Sequence, residues 1–186
     1  MAVNPYELPS GLPVPRDDGA CDHLPGMVVP PVRLPSTRGH AVDLEEAARR
    51  PLVVFFYPAT GQPGEPTPRE WDLIPGARGC TPQNCVYRDR YQEFQDLGFE
   101  VHAVSGQQPD AQWEFAERMH IPFLLLSDSA FELTEAMRLP TFQFGGRRFI
   151  KRLTLVVGDG RVKKVFYPVF PPDRDAEVVL RYLRTP

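Results

Sequence analysis

Leu52-Val53-Val54-Phe55-Phe56-Tyr57-Pro58 decides the fold. Six apolar residues in a row, β-branched and aromatic and ended by a proline, predict a central strand buried on both faces. Downstream, Glu100 to Ser105 has the same character (VHAV between polar ends), and 123–126 predicts a second buried strand. The stretches 149–157 and 162–167 flank Asp159-Gly160, a strong two-residue hairpin signal. Helical periods fill the gaps. Thr81-Pro82 reads as an N-cap hydroxyl followed by proline at the first helical position, with Tyr87, Tyr91, Phe94 and Leu97 along one helix that Gly98 stops. A helix over 110–119 places Trp113, Ala116 and Met119 on one side; another covers 129–139, and a last one covers 173–184 with Ala176, Val179, Leu180 and Leu183 inward. Strands alternating with helices predict an α/β fold: a mixed sheet ending in an antiparallel hairpin.

Upstream of Pro58 the chain changes character. Of 22 prolines in 186 residues, most precede residue 76. Short extended pieces at 28–29 and 32–34, a turn over 36–40 and one helical turn over 45–50 are all that this region offers. The reading is a proline-rich N-terminal arm, 1–40, packed on a domain of 41–186, with an insertion at about 59–76. A connection of that length is uncommon and often functional; the alternative is a tolerated insertion. Net charge is −3, which gives no case for nucleic acid or an anionic membrane. No apolar stretch approaches the ~18 residues that span a bilayer. The N-terminus lacks the basic and apolar regions of a secretory signal, and 3 cysteines are too few for a disulfide-stapled fold. A cytoplasmic protein with free thiols is expected.

Cys80 and Cys85 dominate the chemistry. Cys80 falls at a helix start, where orphan N–H groups and the helix dipole favour a thiolate, with Arg78 and Arg88 adding positive potential. On an undistorted helix residues five apart lie about 8.7 Å from Cα to Cα. A disulfide needs less than about 7 Å. A Cys80–Cys85 bond therefore requires the first turn to unwind, unless Cys80 lies outside the helix. Zinc is poorly supported, because no second Cys/His pair sits at ligand spacing.

Gly79-Cys80-Thr81-Pro82-Gln83-Asn84-Cys85, followed by Arg88-Asp89, resembles the peroxidatic segment of the peroxiredoxin family. The nearest subgroup is the Q type, the bacterioferritin-comigratory proteins, whose two cysteines share this spacing. Further similarities follow in order: Phe56-Tyr57-Pro58, 101–105, Leu125-Leu126-Ser127-Asp128, and Arg152 ahead of Asp159-Gly160. The resemblance implies a thioredoxin-like fold and a peroxidase without metal, flavin or nicotinamide. It implies that Cys80 attacks the peroxide O–O bond, that Cys85 resolves the sulfenic acid as an intramolecular disulfide, and that Arg152 stabilises thiolate and peroxide. Hydrogen peroxide or an alkyl hydroperoxide is the implied substrate, and thioredoxin or a related dithiol protein the reductant, for a monomer or homodimer. The rival readings are a peroxide or redox sensor, or binding module, that uses the same cysteines without turnover, and a disulfide reductase, whose C-x-x-C spacing differs.

The chain departs from the family pattern upstream of Cys80. The proline seven residues before the cysteine and the Thr or Ser three before it are here Leu73 and Ala77. Thr60 is the first candidate to supply the missing hydroxyl, with Thr67 and Thr81 as rivals. Cys21 reads as an ordinary free cysteine or an alternative resolving thiol, and His102 and His120 as structural. Trp71 reads as a lid or as a packing anchor for the long loop. Phe142, Phe144, Phe149, Phe166 and Phe170 read as core sooner than as an organic-peroxide pocket, and Arg147-Arg148 and Lys163-Lys164 as solvated surface.

Overall fold

The run ending at Pro58 forms a strand in the middle of a five-stranded sheet, all five of its residues buried. The computed structural model describes residues 7–185; Pro5 and the rest of 1–6, part of the N-terminus judged above to lack a signal, fall outside it, as does residue 186. The chain opens with an antiparallel pair, β1 (Arg33–Pro35) and β2 (Ala41–Asp43), then α1 (Leu44–Ala47) and β3 (Leu52–Phe56). A 3-10 turn at Arg69–Leu73 leads to α2 (Cys80–Asp89), α3 (Tyr91–Asp96), β4 (Glu100–Ser105) and α4 (Pro109–Met119). Then come β5 (Leu124–Ser127), α5 (Glu132–Met137), β6 (Thr141–Phe144), β7 (Arg147–Ile150), β8 (Leu153–Gly158) and β9 (Arg161–Phe166). A 3-10 turn at Pro172–Arg174 runs into α6 (Asp175–Leu183).

The sheet order is β5-β4-β3-β8-β9, with β3 parallel to β4 and antiparallel to β8. Because side chains alternate along a strand, β3 feeds two cores. Leu52, Val54 and Phe56 join Leu133, Met137 and Leu155 on one face, covered by α1, α5 and the arm. Val53, Phe55 and Tyr57 join Tyr87, Phe94, Phe115 and Leu180 on the other, covered by α2, α3, α4 and α6. The result is a mixed sheet flanked by helices on both sides. No described helix is long and apolar enough to cross a membrane.

The arm contributes Cys21, Leu24, Val29 and Leu34 to the first core. Its backbone also bonds the β8–β9 turn and the start of β9, with Val29 N–H to Gly160 O at 2.9 Å and Gly26 N–H to Val162 O at 2.8 Å. An arm laid on an edge strand satisfies donors that would otherwise invite pairing with another chain.

Four local expectations require correction. The stretch 149–157 is not one strand: it breaks at Lys151-Arg152, and β7 pairs instead with β6 across Gly145-Gly146. Both glycines have positive φ, 54° and 73°, as a two-residue type I′ hairpin demands. The long helix divides at Arg90, although Gly98 ends its second part as expected, with φ 80°. Thr81 is not the N-cap, since Gly79 occupies that position in a left-handed conformation. Trp113 faces solvent at 56% exposure; the inward stripe of α4 is Gln112, Phe115, Ala116 and Met119. Polar Gln112 belongs inside because its amide donates to Ser105 Oγ and Leu126 O, both at 2.9 Å.

Candidate active site

Gly79 makes the site possible. At φ 102° it turns the chain into α2, and a Cβ there would lie 2.4 Å from Pro172 and 2.6 Å from Leu8. Both the backbone conformation and the space require glycine. Gln83 N–H closes the first helical bond onto Gly79 O at 3.0 Å, so Cys80 is the first residue of the helix. Cys80 therefore stands at the helix N-terminus, where orphan N–H groups and the helix dipole favour a developing anion. Cys80 and Cys85 are both free and both buried within the wound helix. Burial pushes the Cys85 thiol up from its ordinary value, only partly offset by Arg88.

Arg152 lies in the break between β7 and β8, 3% exposed, and Nη2 donates to Cys80 Sγ at 3.2 Å. The break matters. A continuous strand would tie the Arg152 backbone into a ladder; here the side chain crosses to the helix start instead. Its Nε donates to Gly76 O at 3.3 Å, Nη2 also reaches Ala77 O at 3.3 Å and Arg78 O at 3.2 Å, and Nη1 donates to Gln83 Oε1. These oxygens are neutral. Among the described residues the one ionisable group in direct contact with the guanidinium is the Cys80 sulfur, so the positive charge is left to stabilise an anion there.

A second layer of polar groups had no signal in the sequence. Gln83 turns its amide to Asp175 Oδ2 at 2.8 Å, and the same oxygen accepts Tyr87 Oη–H at 3.0 Å and Thr154 Oγ1–H at 2.7 Å. All four side chains are buried, Gln83, Tyr87 and Thr154 completely. Burial raises the Asp175 carboxyl from its usual range, opposed by these three donors and by the positive charge of Arg152. The group joins α2, β8 and α6, and only the three-dimensional structure brings them together.

The lengthened loop shapes the site from the other side. Trp71, in the 3-10 turn, is buried against Phe142, Phe144 and Phe149 of the β6–β7 hairpin, with ring centroids 4.9 to 5.7 Å apart. It is a packing anchor, not a lid. Phe166 packs elsewhere, against Tyr182, so the five phenylalanines do not form one set. An Arg78–Asp72 ion pair at 3.2 Å ties the end of the loop to the same turn. Thr60 is buried, and its Oγ1–H donates to Gln107 Oε1 at 3.2 Å, while Gln107 Nε2 returns a bond to Thr60 O at 3.1 Å. No hydrogen bond joins Thr60 to Cys80 among the described residues.

Cys21 lies in the arm, and burial pushes its thiol up to about 12. His102 is buried with Nδ1 2.8 Å from Val101 O, its pKa lowered by desolvation. Asp128 receives the N–H groups of Leu133 and Thr134 and the Thr134 hydroxyl, which fixes the start of α5. Arg148 pairs with Glu135 and lies over Phe131, so it is tied down and not simply solvated. No group of three or more His, Cys, Asp or Glu is clustered for a metal among the described residues.

Comparison with known proteins converges on one family. The Redoxin family model matches residues 24–180. A chloroplastic peroxiredoxin Q from Gentiana triflora is 31% identical over 183 residues, covering 95% of this chain and 76% of its own. Another from Sedum lineare is 31% identical over 161 residues, covering 86% and 77%. The crystal structure of peroxidoxin BcpB from Mycobacterium tuberculosis superposes with a TM-score of 0.70 at 28% identity, over 87% of this chain and 97% of that one. The mixed sheet and its helices are thus the thioredoxin-like fold of these enzymes. With a helix-start thiol facing a buried arginine inside that fold, the chain belongs to the redoxin family and, within it, to the Q-type peroxiredoxins, thiol peroxidases of the oxidoreductase class.

Proposed function

We propose that Cys80 is the peroxidatic residue, Cys85 the resolving one, and Arg152 the group that stabilises the reacting charge. The Cys80 thiolate attacks one peroxide oxygen; the S–O bond forms, the O–O bond breaks, and the leaving oxygen takes a proton to become water or an alcohol. The sulfur has lost two electrons and is a sulfenic acid. The Cys85 sulfur then attacks it, forming the disulfide and releasing hydroxide, which protonates to water. A dithiol protein, thioredoxin or a relative, returns the two electrons by thiol–disulfide exchange. The observation that carries this reading is the 3.2 Å contact of Arg152 with Cys80 Sγ, in a buried setting of otherwise neutral acceptors.

Thr60 Oγ1 gives its hydrogen to Gln107, so at the peroxide it serves only as an acceptor, and the donors that orient the substrate are Arg152 and the N–H groups at the start of α2. Cys85, raised by burial in the wound helix, gains nucleophilicity when the turn opens and water reaches it. The test is peroxide-dependent NADPH oxidation with thioredoxin and its reductase. Cys80→Ser is expected to abolish turnover, and Cys85→Ser to stop cycling while leaving one oxidation of Cys80 per chain. Turnover persisting in Cys80→Ser would refute the assignment. Oxidation of the wild type without cycling would make the pair a sensor.

A further inference from the structure

The bond between the two cysteines cannot form in the wound helix, because both belong to α2 and regular geometry keeps them about 8.7 Å apart. Something must therefore set how readily the helix opens. Between the cysteines, Asn84 favours opening: it is fully buried, its amide donates to Cys80 O at 2.9 Å, and its Oδ1 has no partner among the described residues. An orphaned buried oxygen is a cost that unwinding removes.

Holding the helix closed is the Asp175 carboxylate. Gln83 and Tyr87 stand four residues apart on one face of α2, and both donate to Asp175 Oδ2. Asp175 begins α6 and is held from behind by Thr154 of β8, inside the sheet. Because Gln83 lies between the cysteines, opening the first turn removes it from the carboxylate. A buried carboxyl that loses donors is destabilised, so the helix pays a penalty to unwind.

We propose that Asp175 is a positioning residue that latches α2 in its wound state through Gln83 and Tyr87, and so sets how long oxidised Cys80 waits for Cys85. The proposal rests on the assignment of Cys85 as resolving residue. While the latch holds, the sulfenic acid stays exposed to a second peroxide. That peroxide transfers an oxygen to sulfur, giving a sulfinic acid and another molecule of water or alcohol.

Tyr87→Phe tests this without touching Cys80, Arg152 or Gln83. The ring keeps its stacking on Phe55 at 4.1 Å and Phe94 at 5.4 Å and loses only the hydroxyl. Amide exchange over 81–87 in the reduced protein is expected to speed up by about tenfold, the size of one hydrogen bond to a charged group. After one equivalent of hydrogen peroxide, the disulfide should form faster by a similar factor, and excess peroxide should give less sulfinic acid by mass spectrometry. Thr154→Val removes a donor to the same carboxylate from the sheet side and should change exchange in α2 less than Tyr87→Phe does. Unchanged exchange in Tyr87→Phe overturns the latch, as does equal acceleration in both variants, which would mean general loosening. If wild type forms no Cys80–Cys85 disulfide, the resolving role fails, and the exchange comparison still decides the latch.

Discussion

A guanidinium spreads five N–H groups over three nitrogens, and Arg152 directs them at three carbonyls, one amide oxygen and one sulfur, with Nη2 sharing its two hydrogens among Ala77 O, Arg78 O and Cys80 Sγ. Lysine has three donors on a single atom and cannot reproduce that fork. Arg152→Lys should keep the fold and the charge yet lower the second-order rate of Cys80 with hydrogen peroxide about 10²-fold, typical for loss of an oriented donor at developing charge. Stopped-flow tryptophan fluorescence would read it; a rate within twofold of wild type would show that charge alone suffices. Cys21 makes the opposite case. Its thiol is raised to about 12 by burial and nearby carboxylates, so it stays neutral across the physiological range. Iodoacetamide at pH 8 should leave Cys21 unlabelled in the folded protein and label it once urea unfolds the chain. Labelling of Cys21 in the native state would remove it from the inert class.

At the scale of elements, the loop before α2 has a definite task. Three successive carbonyls at its end, from Gly76, Ala77 and Arg78, all receive Arg152, and Trp71 fixes the loop on the β6–β7 hairpin. Trp71→Ala should cost about 3–5 kcal/mol in urea unfolding of the reduced protein, as large-to-small changes in a packed cluster do. It should also slow peroxide reduction, because the carbonyls lose their register with the guanidinium; Trp71→Phe should restore most of both. Stability lost without any change in rate would confine the loop to packing. Much of this scale is legible in the sequence, since the continuous apolar run of β3 and the strand and turn signals of β4, β8 and β9 report buried ladders directly. The β6–β7 hairpin escapes because 149–157 reads as one strand across Lys151-Arg152, although Gly145-Gly146 carries the signal. Trp113 misleads because a buried glutamine is stabilised by partners on β4 and β5 that helical periodicity cannot register.

For the whole molecule, what the sequence conveys is the reacting pair, and what it conceals is their support. Cys80 and Cys85 stand in one contiguous motif, whereas Gln83, Tyr87, Thr154 and Asp175 meet only after α2, β8 and α6 pack. The same long-range logic ties the arm to the site. Asp18 bonds Lys151 Nζ at 2.9 Å and Tyr167 Oη at 2.8 Å, and Lys151 precedes Arg152 in the break between β7 and β8. The hydrogen bond from Lys151, followed by that from Tyr167, lowers Asp18 from 3.8 to about 2. A depressed folded pKa means the clamp contributes fully above pH about 3.8 and is lost as pH falls through about 2. The contact is solvent-accessible, so its worth is at most about 1 kcal/mol and shrinks with salt. Asp18→Asn should therefore unfold at lower urea concentration than wild type at pH 7, with the difference closing between pH 4 and pH 2. A difference that persists unchanged to pH 2 would mean that the arm is held by its apolar residues alone, with no part played by the charge at Asp18.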